Sequence, residues 1–154
     1  MLEWLHDTIE SLYCQVKISQ NIAYMTFPLI KVLLVEDDYN LQNMYRMKLE
    51  LEKFEVRVAA NGQEGLKLAQ EFMPDMILLD LRMPVMTGDE MLAELRSRDW
   101  GSHVRVIVLT NISKDEAPQS LRLLNVDRYI VKAHSTPAQV VETIRDVMSL
   151  SDHP

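Results

Sequence analysis

The stretch PDMILLDLRMPVMTG, residues 74–88, decides the fold. Met76 to Leu79 (MILL) is apolar on both faces, as a strand must be when helices cover a parallel sheet on either side. The run stops abruptly at Asp80. Working outward, Ile30–Val35 (IKVLLV) reads as another buried strand, and Val104–Leu109 (VRVIVL) as a third. Val56–Ala60 and Val126–Val131 complete five strands. Between them, apolar residues recur at helical spacing: Leu41, Met44, Tyr45 and Leu49 with Lys48 snorkelling, then Gly65, Leu66, Ala69 and Phe72, then Met91, Leu92 and Leu95.

A short fourth helix is expected over Pro118–Leu124, with proline in its first turn. The last helix opens on Thr136-Pro137-Ala138-Gln139, a threonine N-cap with proline first and glutamine third. Its apolar face is Val140, Val141, Ile144, Val147 and Met148. Five strands alternating with five helices predict an α/β domain with helices on both faces of the sheet.

The bulk properties agree with one such domain. The chain has 154 residues, a formal net charge of -7 and a single cysteine, Cys14. An acidic chain is a poor partner for nucleic acid, which needs clustered Lys and Arg. One cysteine excludes an internal disulfide and fits a cytoplasmic location. The most apolar stretch, Ile22–Val35, is interrupted by Thr26, Pro28 and Lys31 and falls short of the roughly 20 residues of a membrane span. The N-terminus carries Glu3, Asp7 and Glu10 where a signal peptide is apolar. The ten methionines are expected mostly at core-facing positions. The four histidines, His6, His103, His134 and His153, have no metal-binding spacing.

Residues 1–29 stand apart from the domain at 30–151. Leu2, Leu5, Ile9, Leu12 and Val16 alternate spacings of three and four, barely two heptads. Three readings stay open: a helix that dimerises or docks on a partner, a helix or flexible lead-in beside its own domain, and a true start at Met25.

What ends each strand carries the chemistry. Strand one runs into Glu36-Asp37-Asp38, strand three into Asp80, strand four into Thr110 and strand five into Lys132. Ligands of open parallel sheets bind outside the carboxyl ends of the strands. Two acidic ends, a hydroxyl and an ammonium at one edge suit phosphoryl transfer to a carboxylate. Anion must there approach anion, and a divalent cation held by neighbouring carboxylates reduces the repulsion. Mg²⁺ suits the task because it takes few protein ligands. Asp37 and Asp80 are the expected direct ligands and Glu36 an outer one. Lys132 supplies a point charge to the phosphoryl group, and Thr110 a hydrogen bond. Asp38 reads equally as the start of the next turn.

These residues fall in four stretches: LLVEDD (33–38), PDMILLDLRMPVMTG (74–88), VIVLT (106–110) and YIVKA (129–133). Together they resemble the receiver domains of two-component response regulators, the CheY-like superfamily, over about residues 30–150. The resemblance implies a flavodoxin-like sheet of order 2-1-3-4-5. It implies phosphorylation of Asp80 by a histidine kinase or phosphotransfer protein, and a place for the Arg82 carbonyl in the Mg²⁺ shell. Thr110 and Tyr129 correspond to a switch pair, the hydroxyl moving to the phosphate and the ring turning inward.

Four positions depart from that pattern. Asn111 replaces a small residue, and Asn125-Val126 replaces Gly-Ala. Ala133 replaces a proline that follows a cis bond. A non-proline cis bond costs about 3 kcal/mol, so either that strain is kept or the loop differs.

A hydrolase of the haloacid dehalogenase type resembles D-x-D, and Arg82 stands where its second acid belongs. No turnover of a separate substrate is therefore expected. Only SDHP follows the last helix, so output is expected through protein contact at helix four, strand five and helix five. A phosphorylation-dependent homodimer is left open.

Overall fold

The computed structural model describes residues 29–149. The expectations for the N-terminal extension lie outside the described residues, apart from Leu29.

Five strands form one parallel sheet in the order β2-β1-β3-β4-β5. They are β1 (Lys31–Val35), β2 (Glu55–Ala59), β3 (Met76–Leu79), β4 (Arg105–Thr110) and β5 (Arg128–Val131). The helices are α1 (Tyr39–Leu51), α2 (Gly62–Phe72), α3 (Gly88–Arg96) and α4 (Pro137–Ser149).

The sheet's two faces explain why its central strands show no apolar–polar alternation. Leu33, Val35, Ile77, Leu79, Val106 and Val108 pack on one side with Ala69, Met91, Leu92 and Leu95 of α2 and α3. Val32, Leu34, Met76, Leu78, Ile107 and Leu109 pack on the other with Tyr45, Leu49, Val140, Val141 and Ile144 of α1 and α4. Successive residues of a strand point to opposite faces, and both faces are covered. Val32, Leu33, Ile77, Leu78, Val106 and Ile107 are accordingly without exposed surface.

Two expectations need correction. Pro118–Leu124 is not an α-helix: a five-residue 3-10 helix, Gln119–Leu123, takes its place. Pro118 is extended (ψ 132°) and no side chain caps the segment. Its turns close i→i+3, the Leu121 amide on the Pro118 carbonyl and the Leu124 amide on the Leu121 carbonyl, and Asn125 then turns left-handed at φ 50°. The same turn delays β5, which begins at Arg128 rather than Val126. Asp127 instead accepts hydrogen bonds from the Val106 amide (2.8 Å) and Arg105 Nη1 (2.8 Å).

Met44 is the second correction, whereas the described methionines do mostly face the core. Met76, Met83 and Met91 are buried and Met86 and Met148 pack against the core, while Met44, Met47 and Met73 are exposed. Met44 thus leaves the buried face of α1, which Tyr45 and Leu49 fill.

Arg96, at the end of α3, is a half-buried tie that periodicity does not reveal. Its guanidinium donates to the carbonyls of Leu124 (2.9 Å), Gly101 (2.7 Å), Val104 (2.9 Å) and Asn125 (2.9 Å). It thereby closes the start of β4 against the turn before β5. Burial lowers its pKa, against the raising effect of Asp127. Among the described residues no helix is long and apolar enough to cross a membrane.

Candidate functional site: an acidic cluster at the carboxyl edge of the sheet

β1, β3 and β4 lie side by side, so the residues that follow or end them meet at one edge. Asp80 follows β3 and has 7 % of its surface exposed; Glu36 follows β1 and has 1 %. Asp37 is exposed. Carboxylate oxygens of Glu36, Asp37 and Asp80 all lie within 4.8 Å of one another. Lys132, directly after β5, reaches this group: its Nζ is 2.6 Å from Asp80 Oδ2 and 2.5 Å from Glu36 Oε2.

Two of the three carboxylates, Asp80 and Glu36, are fixed by backbone. Asp80 Oδ1 accepts from the Leu81 amide at 2.6 Å and from the Arg82 amide at 3.4 Å. Glu36 Oε1 accepts from the Asp38 amide at 3.2 Å. Asp38 itself is the N-cap of α1, its Oδ1 accepting from the amides of Asn40 and Leu41 at 2.9 Å each. Asp38 therefore serves as the start of the turn.

The electrostatics follow from burial. Burial pushes the Glu36 carboxyl up, opposed by the bond and charge of Lys132. Burial alone would lower the Lys132 pKa, but its bonds to Asp80 and Glu36 outweigh that and raise it. The ammonium therefore stays charged. Three carboxylates around one ammonium leave a net negative pocket with an exposed member, a donor set of hard oxygens suited to Mg²⁺.

The turn after Asp80 is built to let a helix start close by. The Met86 amide donates to the Pro84 carbonyl at 2.8 Å, with Val85 left-handed at φ 71° between them. This is a γ-turn, an uncommon conformation for a β-branched residue. Thr87 then caps α3 in a reciprocal box with Glu90. A Cβ on Gly88 would fall 2.0 Å from the Asp80 carbonyl oxygen, so the glycine is required by space rather than by its φ.

The remaining expected residues surround this centre. Thr110 is buried at the end of β4, and its Oγ1 accepts from the Ile112 amide at 3.4 Å. The Arg82 side chain is exposed. Tyr129 is half-buried, and its hydroxyl donates to the Ile112 carbonyl at 2.9 Å. Burial first, then the charges of Asp80 and Glu116, raise its pKa. Asp80, Arg82, Thr110, Asn111, Ile112 and Glu116 line a cavity of about 320 Å³. Glu116 was not anticipated, because nothing in its loop marks where the chain folds back. Nor was the double ion pair of Lys132, a lysine expected only to meet a phosphate. At Ala133 the loop differs: Lys132–His134 is a 3-10 turn, and no described peptide bond is cis.

A five-stranded 2-1-3-4-5 sheet with an acidic cluster at its carboxyl edge defines a flavodoxin-like, CheY-like architecture. Known structures agree. The chemotaxis response regulator CheY4 of Vibrio cholerae superposes with a TM-score of 0.72 at 30 % identity, over 78 % of this chain and 99 % of that one. Response regulator TrrA of Thermotoga maritima, in complex with Mg²⁺ and BeF, gives 0.68 at 27 % identity, over 77 % and 99 %. In sequence, the chemotaxis protein CheY of Halobacterium salinarum is 34 % identical over 120 residues, 77 % of this chain and 97 % of that protein.

The family model of the response regulator receiver domain matches residues 32–145. The chain belongs to the response regulator receiver family of two-component systems.

Proposed function

We propose that the domain at 30–151 is a phosphorylation-dependent switch in which Asp80 takes a phosphoryl group from a histidine kinase or phosphotransfer protein. The reading rests above all on three carboxylates and one ammonium converging on a single sheet edge, two of the carboxylates bonded to that ammonium.

In the transfer, an Asp80 oxygen forms the new O–P bond as the N–P bond to the donor imidazole breaks, and the imidazole keeps the nitrogen electron pair. Asp37 and Asp80 would hold Mg²⁺ directly, with Glu36 as an outer ligand and the Arg82 carbonyl completing the protein set; the bound ion would supply positive charge that reduces the repulsion between the two anions. Lys132 already sits on Asp80 Oδ2, where it can be shared with an incoming phosphoryl oxygen. Thr110 offers its hydroxyl from the end of β4.

The Tyr129 hydroxyl holds the carbonyl of Ile112, two residues past Thr110. A movement of Thr110 toward phosphate would pull on the loop that Tyr129 grips, and the ring would follow. Phosphate thus acts as a ligand that favours one of two packings. The output is protein contact at the β4–β5 side of the domain, with a phosphorylation-dependent homodimer as one form it can take. Catalysis is confined to the domain's own phosphorylation and dephosphorylation.

The test is intact-mass spectrometry after incubation with acetyl phosphate, with and without Mg²⁺, on the wild type and Asp80→Ala. A phosphoryl adduct that needs both Mg²⁺ and Asp80 is expected. No adduct on folded protein would reject the switch and leave a binding module of the same fold.

A further inference from the structure

The cavity of about 320 Å³ beside Asp80 lies on the β4 side of the cluster: Thr110 and Glu116 line it with Asp80 and Arg82, whereas Glu36, Asp37 and Lys132 do not. At roughly 30 Å³ per water it holds about ten waters, room for a phosphoryl group and a small leaving group together. A donor that reaches Asp80 through this space therefore meets Glu116 in its wall.

Glu116 is a fixed charge. Its Oε2 accepts from Ser113 Oγ at 2.9 Å, and its amide donates to the Ser113 carbonyl at 3.2 Å, so one short turn carries both contacts. The same Ser113 carbonyl accepts from the Tyr129 hydroxyl at 3.4 Å, which ties the turn to β5. Both carboxylates of the cavity also act on one phenol: after burial, the charges of Asp80 and Glu116 raise the pKa of Tyr129. Apart from Asp80, which the transfer consumes, Glu116 is the single carboxylate lining this space.

We infer that Glu116 is a specificity-determining residue of the phosphoryl transfer, favouring donors whose leaving group is a protonated nitrogen over acyl phosphates. The inference rests on the reading of Asp80 as the phospho-acceptor. Every donor brings the same phosphoryl group, and donors differ in what departs. With phosphoramidate, an Asp80 oxygen forms the O–P bond as the P–N bond breaks. The protonated nitrogen keeps the electron pair and leaves as neutral ammonia. A phosphohistidine protonated on its other ring nitrogen leaves as neutral imidazole in the same way. Acetyl phosphate instead releases acetate, whose negative charge grows as its O–P bond breaks. A fixed carboxylate in the wall attracts the positive N–H groups of the first kind and repels the second. The pull of Arg82 on the phosphoryl oxygens is common to both donors, so it cancels in the ratio of their rates.

The test follows the phosphoryl adduct by intact-mass spectrometry with Mg²⁺ present. Initial rates are taken with phosphoramidate and with acetyl phosphate for the full chain, Glu116→Gln and Glu116→Lys. Glutamine keeps an oxygen for Ser113 Oγ, so the turn is retained while the charge is lost. The ratio of the phosphoramidate rate to the acetyl phosphate rate should fall on the order of fivefold in Glu116→Gln, and further in Glu116→Lys. A ratio within about twofold of the wild type in both variants, even where the two rates change together, overturns the inference and leaves Asp80 the acceptor. No adduct from either donor on folded wild-type protein, or one that persists in Asp80→Ala, overturns the acceptor reading and the inference with it.

Discussion

Replacing Lys132 by methionine isolates what the ammonium does for the fold. The side chain is 7 % exposed, and its partners, the side chains of Glu36 and Asp80, are 2 % and 9 % exposed. Removing one member of a buried ion pair costs about 3–5 kcal/mol, because the charge left behind has no compensation. Two features place Lys132→Met at the lower end. Asp80 borders a cavity that water can enter, and the Glu36 carboxyl is already pushed up by burial, so it can take a proton instead.

About 3 kcal/mol of lost stability is expected, or roughly 10 °C in Tm for a domain of this size. The measurement is urea unfolding at neutral pH with EDTA present. In a Glu36→Gln background the same substitution should cost far less, giving a coupling of about 2 kcal/mol. The sign with pH also follows. A carboxyl whose folded pKa lies above its unfolded value loses stability as pH rises between them, so the deficit should narrow on acidification toward the ordinary glutamate range. A cost below about 1 kcal/mol, or one unchanged by Glu36→Gln, would refute the view that Lys132 neutralises a buried charge.

Three further outcomes are expected. Gly88→Ala forces a Cβ toward the Asp80 carbonyl, so a loss on the order of 3 kcal/mol should accompany weaker Mg²⁺ binding, read by urea unfolding and calorimetric titration. Arg96→Met strands four carbonyls and should cost about 3 kcal/mol by thermal unfolding; Arg96→Lys should recover little, because an ammonium cannot reproduce the fork. The Glu90 carboxyl is held below its ordinary value by the Thr87 amide and hydroxyl. Its contribution is present above the ordinary glutamate pKa of about 4.3 and lost as pH falls through the lowered value; side-chain carbon NMR should give a midpoint below that of an exposed glutamate.

Much of this arrangement is legible in the sequence, for identifiable reasons. MILL and VRVIVL are apolar without alternation, which only a sheet covered on both faces explains. The polar residue after each run marks the carboxyl edge, so Glu36, Asp37, Asp80, Thr110 and Lys132 can be placed together before any coordinates. Other features depend on the path between elements. The segment 118–124 carries helix-compatible residues, yet its turns close i→i+3 before the left-handed Asn125. Lys132 bonding Glu36 depends on the Lys132–His134 turn, and Arg96 collecting four carbonyls depends on where two loops cross. Met44 fits a helical period but falls outside the stripe that Tyr45 and Leu49 bury, because a period gives spacing and not the limits of the buried face.

β5 pairs only with β4, over four residues, and Lys132 comes directly after its last one. This edge strand thus leads directly into the ammonium that two of the three carboxylates bind. When that edge frays, the cluster loses its counter-charge, and repulsion among the acids opposes the opening. A cation added at Asp37 and Asp80 would take over that counter-charge and repel the ammonium, so hydrogen exchange at Ile130 and Val131, which it does not touch, should quicken. Charge at the centre of the molecule and order at its margin then rise and fall together.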